Sequence, residues 1–349
     1  MSANDLAQNQ PIRLSICIAT YRRADFIGRT LDSILPQLGR DVELLVVDGC
    51  SPDGTPEVMA KYVTSHPHLR YVREDVNSGI DGDYDKAVSY ARGEYCWLMT
   101  DDDLLVEGAV QRVLSHLHDV DLVVVNARVL NADLSEELTP QLMKLDRDRS
   151  YGPATAEALF TDAAAYLSFI GGVVIRRSIW QTRNRELYYG SLFIHFGVIF
   201  QSPSVSRAYI IASPLILIRY GNAMWTARGF EIWMFKWCEL VWSMTHFSAA
   251  ARQLVTAPEP WREARQLLRY RATGAYSFAV YQTLLARRGS TWDRLSAYLV
   301  AKLPGPAANA LFLAYLRTQR RPDLMLRHDL LRSPHASWLT RLPFRTRHD

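Results

Sequence analysis

Tyr95-Cys96-Trp97-Leu98-Met99-Thr100-Asp101-Asp102-Asp103 carries a mostly apolar run straight into three consecutive carboxylates. The apolar part reads as the end of a buried strand. Like charges this close repel and raise each other's pKa, so leaving them uncompensated at a strand end costs stability. A divalent cation relieves the repulsion, and hard oxygen ligands suit Mg2+ or Mn2+. The competing reading is a solvated acidic turn whose Asp side chains cap the next helix.

On either side of that stretch, short β-branched runs alternate with helical patterns. Leu14–Ala19, Glu43–Val47, Leu69–Val72, Tyr95–Met99 and Leu122–Asn126 read as strands. Phe26–Gln37, Pro56–Thr64, Tyr84–Arg92 and Glu107–His118 carry apolar residues at helical spacing. This alternation predicts an α/β fold, a doubly wound and mostly parallel sheet with helices on both faces. Ligands of such sheets sit beyond the carboxyl ends of the strands, where strand order reverses. Three polar signals fall at those ends: Thr20-Tyr21-Arg22-Arg23, Asp48-Gly49-Cys50-Ser51 and Asp101–Asp103.

Farther on, Asn131–Pro153 is polar and reads as a loop. Ala154–Leu167 reads as a helix and Phe169–Ile175 as a strand. The pair Gly171-Gly172 suggests a close backbone approach, and Pro214 puts the strand Tyr209–Ile218 at a sheet edge. From Phe230 on, only helical patterns are visible.

At 349 residues and 48% hydrophobic, the chain can bury one large core or two smaller ones. Its four cysteines have no paired spacing, which argues against zinc or a disulfide framework and suits a reducing compartment. With no apolar leader and no run of about 18 apolar residues, a cytoplasmic protein is expected. The net charge of +4 is unevenly spread. From Ala251 on, 17 Arg and Lys face six Asp and Glu, so that part carries +11 and the rest −7. A basic tail favours phosphate-rich partners, either nucleic acid or an anionic membrane surface.

Four ordered segments carry a family resemblance. Leu14-Ser15-Ile16-Cys17-Ile18-Ala19-Thr20-Tyr21-Arg22-Arg23 stands where a strand ending in Pro-Thr-Tyr-Asn is usual. Glu43-Leu44-Leu45-Val46-Val47-Asp48-Gly49-Cys50-Ser51-Pro52-Asp53-Gly54-Thr55 is close to Val-Val-Asp-Asp-Gly-Ser-x-Asp-Gly-Thr. Asn77-Ser78-Gly79 and Ala91-Arg92-Gly93-Glu94-Tyr95 then lead into the Asp cluster, which matches a DxD motif. On these segments the chain resembles the family 2 glycosyltransferases with a GT-A fold. A narrower resemblance, to the abequosyltransferase-like branch of O-antigen synthesis, rests on Ile80-Asp81-Gly82-Asp83-Tyr84-Asp85, Gly171–Val174, Gly190–His195 and Arg219–Trp225.

The resemblance implies a flexible segment 1–11 and a catalytic domain 12–225, divided into a nucleotide-sugar half 12–126 and an acceptor-side half 127–225. A basic helical region 226–349 follows. It implies a metal-dependent inverting transferase that uses a nucleoside-diphosphate sugar, a glycan or lipid-linked saccharide acceptor, and Mn2+ or Mg2+. Asp103 is the expected direct metal ligand. Asp101 and Asp102 face the ribose or sugar or complete the metal shell, unless Asp101 is only a helix cap. Asp48 meets the nucleotide base, or else forms an Asx-turn into Gly49. Thr20 and Tyr21 line the same pocket. Arg23 joins them or is a solvated helix-start charge, and Asp83 contacts the nucleotide or caps the helix through Arg92. Arg219 folds over the diphosphate, where a guanidinium binds bidentately. Trp225 is a lid or acceptor platform, or a packing residue.

The general base is where the chain departs from the family. A Glu-Asp pair at a helix start is usual, whereas this chain has Gly190-Ser191-Leu192-Phe193-Ile194-His195-Phe196. His195 is the local substitute by its ordinary pKa, against a core histidine as the alternative, and Glu186 is the fallback. The Trp-rich stretch Phe230–Trp242 with the Arg-rich tail suits a helix lying in a membrane interface, on the cytosolic face, or a helical cap packed on the catalytic domain. Nucleic acid is not the expected partner. A sugar nucleotidylyltransferase would want a Gly-rich loop after the first strand. A haloacid-dehalogenase-type phosphatase would want Thr or Val where Leu105 stands. A degenerate transferase scaffold that only binds membrane or nucleic acid is the non-enzymatic alternative.

Overall fold

Leu14–Thr20 (β1), Val42–Asp48 (β2), Leu69–Arg73 (β3) and Tyr95–Met99 (β4) pair in parallel in the order β3-β2-β1-β4. The chain goes from β1 outward through β2 and β3, then returns to place β4 on the other side of β1. That reversal makes a crevice at the carboxyl ends of β1 and β4. Every residue of β2 is buried, which is why Leu44-Leu45-Val46-Val47 is apolar without alternation, flanked by the buried carboxylates of Glu43 and Asp48. The connecting helices are Ile27–Ile34 (α1), Thr55–Ser65 (α2) and Gly79–Tyr90 (α3). The first of them turns Ile27, Leu31 and Ile34 inward at helical spacing.

The remaining strands are Leu104–Leu105 (β5), Leu122–Leu130 (β6), Glu137–Thr139 (β7), Arg149–Tyr151 (β8), Val173–Arg176 (β9) and Ala208–Arg219 (β10). They extend the sheet to β3-β2-β1-β4-β9-β6-β10-β5, with β7 on β6 and β8 on β10. Parallel pairing covers β3 to β4 and then β6 with β10, and β9 lies between them antiparallel to both neighbours. Ala109–Leu114 (α4), Ala156–Ala163 (α5), Arg177–Thr182 (α6) and Ile194–Phe200 (α7) complete this part.

Several local expectations change. The polar stretch 131–153 contains β7 and β8. Ile170–Gly172 is a turn, and the strand begins only at Val173. The close approach at that glycine pair is real, because a Cβ on Gly172 would sit 2.8 Å from the Tyr166 hydroxyl oxygen and 2.9 Å from the Val125 carbonyl oxygen. Pro214 does not mark an edge. β10 has β6 along one side, with β8 and β5 at its two ends on the other, and Pro214 lies where the register with β6 shifts between Ile211 and Ile216. The shift lets a residue without an N–H sit inside a paired strand.

The structure, a computed structural model, describes residues 11–224, 226–320 and 322–337. They form two compact units, one running to Arg219 and taking in Met244–Val255, the other made of Tyr220–Ser243 and the chain from Thr256. Residues 244–255 join the first unit through Phe247, whose ring stacks on Phe160 of α5 at 4.1 Å. The second unit is helical. Its core gathers Phe230, Met234, Phe235, Trp261, Leu267, Tyr276 and Leu285. The stretch Phe230–Trp242 therefore contributes to a core and is not a membrane-facing helix: Phe230 packs on Tyr270 and Tyr276, the latter 4.7 Å away, and Phe235 on Trp261.

In that unit the Tyr220 hydroxyl donates to Asp329 at 2.8 Å. Burial pushes the Asp329 carboxyl up to about 6, with the Tyr220 hydrogen bond and Arg269 opposing and Asp323 adding. A carboxylate whose folded pKa lies above its unfolded value loses stability as pH rises between the two, here from about 4 to 6. Asp329→Asn should remove that penalty, on the order of 2 kcal/mol at neutral pH. Melting curves at pH 7.5 and pH 4 test it. The variant should melt higher at the first and level with wild type at the second, and a lower melting point at both would sink the argument.

Candidate active site

The ends of β1 and β2 are tied together before any ligand is considered. Arg22 and Cys50 adopt left-handed backbone, φ 59° and 63°, which costs a non-glycine residue roughly 1 kcal/mol. The strained loops are held by hydrogen bonds from the Arg22 N–H to Ser51 Oγ at 2.9 Å and the Arg23 N–H to Thr55 Oγ1 at 3.0 Å. Thr20 is buried and Tyr21 half-buried at the same strand end.

Asp48 ends β2 fully buried. Its Oδ1 accepts the Ser51 N–H at 2.8 Å and its Oδ2 the Tyr71 hydroxyl at 2.6 Å, with Arg73 Nε 4.0 Å away. The Asp48 side chain thus accepts from the residue three further on, one beyond an Asx-turn, and a base would reach only its remaining lone pairs. Burial and that bond to Asp48 raise the Tyr71 pKa. Gly49 stands where the resembled pattern has a second Asp. A Cβ there would lie 2.5 Å from Asp83 Oδ2, so the glycine makes room for the Asp83 carboxylate. Asp83 also accepts the Ser78 hydroxyl, and burial raises its pKa. It lies within α3, which begins at Gly79, five residues ahead of the predicted start, so Asp83 is not a cap.

Asp101, Asp102 and Asp103 follow β4, and their surroundings differ. Arg23 places Nε 3.3 Å from Asp101 Oδ1 and Nη2 3.5 Å from Asp102 Oδ2. The Arg23 and Arg219 guanidinium groups both lie over the Phe26 ring, 5.5 and 5.4 Å from its centre. Burial, with the Asp102 charge adding and Arg23 opposing, pushes the Asp101 carboxyl up to about 7. Asp103 is 2% exposed. Its Oδ2 accepts the Thr100 hydroxyl at 2.5 Å and its Oδ1 the Arg219 N–H at 2.8 Å, tying β4 to the end of β10. Each Asp103 oxygen thus already accepts one hydrogen bond, whereas Asp101 and Asp102 are held by the charge of a single guanidinium, Arg23.

Arg219 is itself buried. Its Nε donates to the Asp102 carbonyl at 3.1 Å and its Nη1 to the Ala132 carbonyl at 2.8 Å. Its Nη2 is a buried donor with no hydrogen-bond partner. A buried unmade hydrogen bond of a charged group is costly, and a ligand oxygen would satisfy it.

Among the described residues no group of three or more His, Cys, Asp and Glu side chains could hold a metal alone. Mg2+ is commonly bound through one or two carboxylates plus substrate phosphates. Two neighbouring carboxylates that repel each other fit a cation shared with a diphosphate, and Asp101 with Asp102 form such a pair.

His195 is corrected. It lies in α7 at 1% exposure with Nε2 on the Leu167 carbonyl at 2.8 Å, and burial pulls its pKa down to about 4. This is the environment of the core-histidine alternative. Glu186 is exposed in the turn Glu186–Tyr188. Where the family's Glu-Asp pair is absent, a carboxylate arrives from α3: Asp81 accepts the Leu192 N–H at 2.9 Å and the Ile194 N–H at 3.0 Å, at the start of α7. One turn on, Asp85 accepts Trp180 Nε1 at 2.8 Å and pairs with Arg185 Nε at 2.8 Å. Neither role was read from the sequence. Their i, i+4 spacing on one helix face was the available signal. Trp225, the lid candidate, lies outside the described residues.

A sheet that reverses strand order at β1, with a carboxylate pair and a buried arginine at the strand ends, is an arrangement that suits a diphosphate ligand. The chain belongs to glycosyltransferase family 2, as the sequence profile described as Glycosyl transferase family 2 matches residues 15–188. Among curated proteins it is 27% identical over 234 residues to abequosyltransferase RfbV of Salmonella typhimurium, covering 62% of this chain and 69% of that one. It is 30% identical to the succinoglycan biosynthesis protein ExoO of Rhizobium meliloti over 37% of this chain, and spans 40% of that protein. Two solved structures share the fold. S. aureus TarS bound to UDP has a TM-score of 0.53 at 16% identity, over 92% of this chain and 88% of that one. A mannosyltransferase from Pyrobaculum calidifontis, in complex with GDP-Man and Mn2+, has a TM-score of 0.51 at 16% identity, over 93% and 86%.

Proposed function

We propose that this chain transfers a sugar, with inversion and with a divalent cation, from a nucleoside-diphosphate donor to a hydroxyl of a glycan or lipid-linked saccharide in surface polysaccharide synthesis. The observation that carries the reading is the unpartnered Nη2 of Arg219, buried beside Asp102 and Asp103. A diphosphate oxygen is the acceptor that such a donor lacks. Held between Asp101 and Asp102, Mn2+ or Mg2+ would neutralise charge on the departing nucleotide. Arg23 keeps those two carboxylates compensated until donor and cation arrive together. Thr20, Tyr21, Asp48 and Asp83 then surround the nucleoside. With His195 withdrawn into the core, Glu186 is the remaining candidate to take the acceptor proton. The names of RfbV and ExoO support a surface-polysaccharide role, the former pointing to a deoxyhexose.

Thermal stabilisation by UDP, CDP and GDP, each with and without Mn2+, tests the donor site. Binding at a hundredfold excess over Kd adds about 2.7 kcal/mol to the folded state. One nucleotide should raise the melting point, and only with the metal. No shift with any of them removes the reading.

A further inference from the structure

The helix Thr291–Lys302 has two unlike sides. Ala297, Val300 and Ala301 are buried in the core of the second unit. Trp292, Leu295 and Leu299, spaced i, i+3, i+7, are exposed on the opposite side, Trp292 to 79% and Leu299 to 58%. The next helix, Gly305–Arg317, repeats the arrangement. It buries Ala308, Leu313 and Leu316 and exposes Leu311 (63%) and Tyr315 one turn apart. Scattered exposed apolar side chains need no explanation, but an exposed apolar row on each of two consecutive helices does.

We propose that this outward face docks on an anionic lipid surface. Three features on the molecule choose that occupant. Basic residues frame these rows: Arg287 and Arg288 precede the first helix, Lys302 ends it, Arg317 ends the second and Arg320 follows it, all exposed. Trp292, Tyr298 and Tyr315 supply the half-polar aromatic rings that settle at headgroup depth. The charge then decides between a membrane and a second copy. Residues 220–243 and 256–349 hold 18 Lys and Arg against eight Asp and Glu, a net +10. Two such faces repel each other, whereas phosphate headgroups attract them.

The face lies on the bilayer and does not cross it. Neither helix reaches the roughly 20 residues that a span needs. Among the described residues no single helix is long and apolar enough to cross, and this pair passes only together, across a 97° bend. Basic amphipathic helices of this kind rest in the interface with the apolar side down. The stretch Phe230–Trp242, richer in Trp, is excluded because it forms the core beneath.

Flotation of the full chain with vesicles, without nucleotide or acceptor, tests the docking independently of the transferase reading. Wild type should float with phosphatidylcholine vesicles containing about 30% phosphatidylglycerol, at least roughly tenfold more than with phosphatidylcholine alone. The excess should fall away at about 0.5 M NaCl, where screening is short-ranged. Leu295→Glu with Leu299→Glu should cut partitioning roughly tenfold, and Trp292→Ala, which adds no charge, decides the matter if the double variant melts low. The proposal is overturned if wild type does not float, if both variants float as wild type does, or if wild type is a dimer that the double variant dissociates without lipid.

Discussion

Asp102→Asn is expected to lower kcat/KM at least about a thousandfold and to abolish Mn2+-dependent stabilisation by nucleotide, while its melting point without ligand stays at or above that of wild type. A thousandfold corresponds to about 4 kcal/mol of transition-state charge stabilisation, within what a bound cation supplies. The unliganded protein loses nothing comparable, since Asp101 and Asp102 repel, and one neutral side chain relieves the pair. Asp103→Ala should behave in the opposite manner. It leaves the buried Arg219 N–H and the Thr100 hydroxyl without their acceptor, at about 1–3 kcal/mol each, so the melting point drops. Mn2+ titration followed by electron paramagnetic resonance, run beside melting curves, separates the two. Metal-dependent binding that survives Asp102→Asn and vanishes in a normally stable Asp103→Ala would return the direct-ligand role to Asp103.

The second large effect is expected at Arg219. Arg219→Lys should lower kcat/KM by roughly two to three orders of magnitude, because a single ammonium cannot replace a planar fork that serves two carbonyls and a phosphate together. Stability should fall as well, on the order of 2 kcal/mol, since the carbonyls of Asp102 and Ala132 lose a fixed donor. Loss of packing alone does not explain a rise in donor KM, so the donor KM is the decisive reading. A variant that melts low yet binds donor normally would make Arg219 a structural residue only.

The strands β1 to β4 and the polar signals at their ends were legible because both are local. An apolar run that stops abruptly at Thr20, Asp48 or Asp101 reports a buried strand reaching the surface of the sheet. What was missed depends on distant partners. The start of α3 was placed late, at Tyr84, because Gly79 and Gly82 are weak helix formers. With the helix shortened, Asp81 and Asp85 lost the spacing that puts them on one face. His195 looked available because neighbouring apolar residues do not tell which way an imidazole points, and its partner, the Leu167 carbonyl, comes from another segment. The stretch Phe230–Trp242 has one composition whether it meets lipid or protein. Trp261, Tyr276 and Leu285, which settle the matter, come later in the chain. The stripe on Thr291–Lys302 is hidden from composition for the same reason, as only the fold says which side of that helix is covered.

The bonds made by Asp81 and Asp85 bear on any attempt to re-engineer what this enzyme builds. Exchanging everything after β6 between relatives is an obvious way to recombine family members. In this chain such a cut would strand Asp81 without Leu192 and Ile194, and Asp85 without Trp180 and Arg185. A chimera must therefore carry α3 along with the segment after β6, so the exchangeable module is not contiguous in sequence.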